Sequence, residues 1–216
     1  MTISSANKLS IYNGALTFIG ERKLSALTDN VESRRLLDDV WDGGGVDKCL
    51  EQGQWKFAMR TSMLDYSSSV TPSFGYEYAF EKPSDLIKLC ALCSDEFFDT
   101  PLLQYTEEAG FWFASLDTIY IQYVSNDGSY GTDYSLWPGS FKSFVEAWFG
   151  CEIVLKITQS ETKEDAKKKE LKKILTEAKS KTAMDGPTKF LPVGTFRTAR
   201  HSGRIGDNGY RSRLIG

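Results

Sequence analysis

The period of the apolar side chains changes twice along the chain, and that double change limits the folds open to it. Up to about Trp55, and again beyond Trp137, apolar residues recur every three to four positions, the spacing of one helix face. Between them they alternate with polar residues, the spacing of a half-buried strand. Helices on either side of a run of strands predict an α+β fold: a four-helix bundle-like body with an inserted antiparallel β domain and an extended C-terminal arm. The expected boundaries are 1–58 and 139–185 for the helical domain, 59–138 for the β-rich insertion and 186–216 for the arm.

Leu9, Tyr12, Leu16 and Ile19 share one face of a helix expected over 4–19, with Gly20 where it should stop. Asp29 and Glu32 have capping-box spacing ahead of Leu36, Leu37, Val40 and Trp41. Val46, Cys49 and Leu50 resume that pattern beyond Gly43, Gly44 and Gly45, so one helix, weak or kinked at the glycines, is expected there. After the strands, Phe141, Phe144, Val145, Trp148 and Leu155 define a broadly apolar helix beginning near Ser143, with Glu146 completing a second capping box. The segment ETKEDAKKKELKKILTEAKSKTAM places Leu171, Ile174, Leu175 and Ala178 on a narrow stripe. Its pairs Glu164–Lys168, Asp165–Lys169 and Glu177–Lys181 have the favourable i,i+4 order.

Within the insertion, Tyr76, Tyr78 and Phe80 alternate with Glu77, Ala79 and Glu81, and a turn at Lys82-Pro83-Ser84-Asp85 leads into LIKLCALC, read as a buried strand. LLQYTE, GFWFAS and TIYIQYV continue as short antiparallel strands, and SNDGSYGTDYSLWPG returns to helix.

Charge divides the chain differently. Residues 186–216 carry Lys189, Arg197, Arg200, Arg204, Arg211 and Arg213 against Asp207, a formal +5, whereas the whole chain is −3, which leaves −8 on the body. Glycines and prolines in that stretch oppose a packed helix, and Phe190, Phe196 and Tyr210 are large apolar anchors for a linker. A docking arm is the expectation, its arginines making charge-assisted bonds to carboxylate or phosphate and its aromatics filling pockets.

Several chemistries are disfavoured by spacing. Cys90 and Cys93 form a C-x-x-C, but three-residue spacing in an alternating strand points the thiols to opposite faces, so reduced thiols and no zinc are expected. His201, the one histidine, has no sequence-local acid to orient it as a catalytic base. Gly43–Gly45 lack the Lys-Ser/Thr of a phosphate loop. Asp38, Asp39, Asp42 and Asp47 spread around a helix and read as a solvated face. Lys167, Lys168, Lys169, Lys172 and Lys173 could meet phosphates, but interleaved glutamates mute their field. No apolar run is long enough for a membrane helix, and MTISSANKLSIYNGAL lacks the order of a secretory signal, so intracellular synthesis is expected. No cofactor and no enzymatic activity are expected; a cell-wall hydrolase has no acid–base constellation to support it.

The stretches ALTFIGERKLSALTDNVESRRLLDDVWD, CLEQGQWKFAMR, FGYEYAFEKPSDLIKL and FKSFVEAWFGCEIVLKITQS resemble the tail tubular protein A, or head-to-tail adaptor, family of short-tailed bacteriophages. The resemblance covers residues 6–185. Its most specific pieces are Ile19-Gly20-Glu21, Gln54 to Ala58 and Tyr78 to Asp85, and its main departure is Gly43-Gly44-Gly45, where relatives usually carry helix formers. It implies a structural virion protein that forms a twelve-membered ring in the tail, below the portal protein and above the nozzle, after assembly in the host cytoplasm. Such a ring extends the channel through which viral DNA passes and offers a platform for tail fibre protein. Portal docking would then fall to Phe190, Phe196, Arg197, Arg200, Arg204, Tyr210, Arg211 and Arg213. The competing expectation is a nucleic-acid-binding protein that uses the lysine-rich helix and the arm.

Overall fold

A computed structural model describes residues 3–186. It is an α+β structure of five α-helices and two small antiparallel sheets. Three helices come first: α1 (Ser5–Ile19), α2 (Glu32–Asp42) and α3 (Gly45–Glu51). Six strands follow, β1 (Met59–Asp65), β2 (Tyr78–Glu81), β3 (Leu86–Cys93), β4 (Thr106–Glu108), β5 (Phe111–Ala114) and β6 (Thr118–Ser125). Helices α4 (Gly139–Thr158) and α5 (Glu161–Met184) end the described chain.

Local signals account for the ends of α1 and α5. Ser4 accepts a hydrogen bond from the Asn7 amide at the start of α1, and Gly20 closes it at φ 84°, its amide and that of Glu21 donating to the carbonyls of Thr17 and Leu16. This paired closure needs a left-handed residue, which glycine adopts without strain. Ser160 caps α5, with Glu161 and Glu164 in the first turn and Lys181 in the last, charges that complement the helix dipole.

The two expected capping boxes do not form. Asp29 folds back to accept from the amides of Ser25 and Ala26 at 2.7 and 3.2 Å, leaving Val31, which has no side-chain acceptor, at the cap of α2. Helix α4 begins at Gly139, a turn before Ser143, so Ser143 and Glu146 lie inside it. The single helix expected across the glycines is two. Gly44 turns left-handed at φ 74° and separates α2 from α3, which starts at Gly45, packed directly against Phe149 of α4. A Cβ on Gly45 would stand 2.7 Å from the Phe149 ring and 2.8 Å from the Val40 carbonyl. Gly45→Ala is therefore expected to cost about 2 kcal/mol through overpacking. Gly139→Ala, where a Cβ meets nothing within 4 Å, should cost nothing measurable in the same thermal melts. Equal losses at both sites would refute the close-approach account.

The sheets run β1-β6-β3 and β2-β5-β4, all pairs antiparallel. Strand β6 separates two cores. Val124 faces the helical core of Tyr12, Leu16, Leu37, Trp55, Phe141, Phe144 and Phe149, whereas Ile119, Ile121 and Tyr123 pack on Phe80 and Trp112 of the second sheet. Apolar side chains on both faces of the central strand follow from this layering.

Strand β3 departs from simple alternation. Its register against β6 slips at Ile87 and at Cys90, one extra residue each time. Leu86, Leu89 and Leu92, three apart, consequently all face the second core, while Ile87 and Cys90 turn to the helical one. LIKLCALC is thus written with a period of three, and the bulges convert that period into two continuous faces.

Candidate interaction surfaces

The eight residues expected to dock a portal, Phe190, Phe196, Arg197, Arg200, Arg204, Tyr210, Arg211 and Arg213, lie outside the described residues, as do Lys189, His201 and Asp207. The surfaces below belong to the body.

Helix α5 carries the lysine run on a surface largely exposed to solvent, with Ala178 and Thr182 buried against the rest of the fold. Lys168 pairs with Glu164 at 2.5 Å and Lys181 with Glu177 at 2.6 Å, in the order expected. Lys167 bonds to Glu170 at 2.9 Å and also covers the Phe18 ring at 4.3 Å. Among the described residues three of the eight α5 lysines are answered by ion pairs along its own surface, the expected Asp165–Lys169 pair not forming, and this pairing partly weakens the helix's hold on phosphates.

Asp85 sits in the expected turn, which the Leu86 amide closes by donating to the Pro83 carbonyl, and is also the hub of the insertion. Its side chain is 17% exposed and accepts from Ser125 Oγ at 2.5 Å, Arg60 Nη1 at 2.9 Å and Tyr123 Oη at 3.1 Å. Its backbone carbonyl accepts from the Asn126 amide. Burial pushes the Asp85 carboxyl up, but the bonds from Ser125, Arg60 and Tyr123 outweigh it and hold the group below the usual carboxylate range. Burial and the nearby Asp85 charge push Tyr123 up to about 12. Every bond the carboxylate makes ties β1 and β6 to the start of β3, so this cluster holds the fold together.

Asp38 is likewise no solvated acid. It accepts from Tyr12 Oη at 2.8 Å and pairs with Lys8 at 3.1 Å and Arg34 at 2.5 Å, locking α1 to α2. Cys49, Cys90, Cys93 and Cys151 are free thiols. The expected opposite orientation of Cys90 and Cys93 is overturned by the bulge at Cys90: both fall on the Val124 side of the sheet, Cys90 against the helical core and Cys93 opposite Tyr120. Burial raises both thiols above their usual range. Among the described residues no group of three or more metal-binding side chains converges.

The surface most clearly built for contact is the tip beyond β3. The Ser94 amide donates to the Thr100 carbonyl, the Leu102 amide donates to the Leu92 carbonyl, and Cys93 bridges Pro101, extending the strand into a short hairpin. The Asp95 carboxylate accepts from the amides of Asp99 and Thr100 at 3.0 and 2.8 Å and shapes the turn from inside. Phe98 takes a left-handed backbone at φ 61°, a strained choice for an aromatic residue. Phe97 is 75% exposed at the crest and Leu103 84% exposed on the return. The turn thus leaves Phe97 and Leu103 in water, outside both cores.

Sequence reasoning passed over this tip. The available signal was SDEFFDT, two phenylalanines among acids where a polar turn would be expected. No protein-family model matches the chain, and no curated protein matches it. Among the described residues no helix is long and apolar enough to cross a membrane.

Proposed function

We propose that the chain is a structural protein of a short-tailed phage virion, a head-to-tail adaptor that forms a ring between portal and nozzle. The observation that carries this reading is where the resembling phrases fall. Gly20 of Ile19-Gly20-Glu21 closes α1; Trp55 of Gln54 to Ala58 is fully buried between the last of the first helices and β1; Tyr78 to Asp85 supplies β2 and the hub carboxylate. Each of these phrases therefore includes a residue that shapes the body, beside exposed ones such as Glu21, Gln54, Lys56 and Glu81. The description of the helical part as a four-helix bundle-like domain over 1–58 and 139–185, with a β domain over 59–138 and a docking arm over 186–216, is part of the same proposal. So are a non-enzymatic role, tail localisation, a twelve-membered ring, and contacts with portal, nozzle and tail fibre proteins around passing DNA.

The nucleic-acid reading is weaker because internal ion pairs already answer several of the α5 lysines. The test is to mix the protein with the portal ring of its own phage and image the product. Cyclic density of about twelve copies on one portal face is the expected result. Isolated single copies, or no binding at all, would refute the adaptor reading.

A further inference from the structure

A second surface complements the acidic tip. Near the C-terminal end of α5 and the beginning of β3 lies a groove of about 410 Å³ whose accessible apolar floor is the half-buried Met59 with Ala183, above the fully buried Trp55, and around which stand Lys56, Lys88 and Lys179. Among the described residues no acidic side chain lines it. Lys88 donates to the Glu51 carbonyl at 3.0 Å and Lys56 reaches the Ala183 carbonyl at 3.5 Å. Among the described residues none of these three lysines forms an ion pair. Three cations around an apolar floor suit an apolar side chain flanked by carboxylates.

The tip has that chemistry. Between Ser94 and Tyr105 the chain carries Asp95, Glu96 and Asp99 and no base, with Phe97 projecting between the acids. It does not reach the groove of its own chain. Lys88 stands near the start of β3 and the tip leaves from Cys93, five residues on, roughly 15 Å further along the strand. We propose that the Phe97 tip of one copy docks into the Lys56–Lys88–Lys179 groove of a second copy. The two surfaces are different patches of one chain, so the contact is head-to-tail and passes from copy to copy. It rests on the adaptor reading only for closure into a ring; the contact itself needs no portal.

A single hairpin tip makes a small interface, so free protein should associate weakly, with a dissociation constant on the order of 100 μM at low salt. Sedimentation velocity across that range tests it. Phe97→Ala should weaken association at least tenfold, about the effect of removing a central anchor, with an unchanged thermal melt. Glu96→Lys with Asp99→Lys in one chain, and Lys56→Glu with Lys179→Glu in another, should each leave monomers. Mixing those two variants should restore association, because each then offers the charge the other requires. Wild-type protein that stays monomeric, association indifferent to Phe97→Ala, or folded variants that remain monomeric when mixed would each overturn the proposal. Loss of oligonucleotide retention by the Lys56→Glu, Lys179→Glu variant, with wild-type protein monomeric, would assign the groove to phosphate and overturn it too. Portal capture of the wild-type protein, measured alongside, separates failure of this contact from failure of the adaptor reading.

Discussion

Protein lacking residues 186–216 is expected to keep its fold and lose its portal. Both described cores are built from residues between Ile3 and Ala178, so truncation should move the thermal melt by less than about 3 °C, near 1 kcal/mol for a chain of this size. Co-sedimentation with portal rings should fall at least tenfold, because the removed segment carries +5 together with Phe190, Phe196 and Tyr210. Replacing Arg197, Arg200 and Arg204 by glutamate should weaken docking more than replacing Lys167, Lys168 and Lys169, two of which already pair with glutamates of their own helix. The arginine effect should shrink as salt rises. A truncated protein that melts far below the intact one would place the arm in the body's core. One that melts normally and still saturates the portal would place the docking surface in the body.

Asp85→Ala is expected to be among the most damaging single substitutions in the described chain. It strips the acceptor from Ser125 and Tyr123, both essentially buried, and leaves Arg60 without its carboxylate. At about 1–3 kcal/mol for each buried donor left unsatisfied, the total loss should be about 3 kcal/mol, roughly 6–12 °C in melting temperature. Arg60→Ala should cost less than about 1 kcal/mol, since that side chain is more exposed and its pair is screened. Acid provides a second check. The folded Asp85 carboxyl lies below its unfolded value, so its stabilising contribution is full above about pH 4 and fades as the pH falls through the folded value. The gap between wild type and Asp85→Asn should therefore narrow in acid melts. A gap that stays constant down to pH 2 would show that the carboxylate's charge contributes nothing.

Much of the helical architecture was legible because its signals are local. Leu9, Tyr12 and Leu16 mark the core-facing side of α1 by their spacing, and Gly20 ends it, its capping partners Leu16 and Thr17 lying within a few residues. The bounds of α5 follow from Ser160 and its first-turn acids in the same way. The alternation in GFWFAS and TIYIQYV pointed to β5 and β6, and the phenylalanines of α4 to a broadly apolar helix. Local signals also misled. Asp29 and Ser143 have the right spacing for caps, but spacing cannot say where a helix begins when a competing turn or an earlier start satisfies the same groups.

By itself, then, the sequence determined that helices flank a run of strands, several of the element ends, the buried faces of the long helices and the contrast between an acidic body and a basic C-terminal segment. All of these depend on neighbours along the chain. Tertiary structure alone decided the rest. Phe149, more than a hundred residues away, packs against Gly45 where α3 starts. The thiols of Cys90 and Cys93 share one side of a sheet because β6 imposes two bulges on β3. Asp85 became a hub as well as a turn residue because folding brings it Arg60 from 25 residues away and Ser125 from 40. Lys56, Lys88 and Lys179 come from three separate elements, and no periodicity could announce their meeting. Contacts of that range are chosen by packing and by the satisfaction of buried polar groups, quantities that no stretch of adjacent residues encodes.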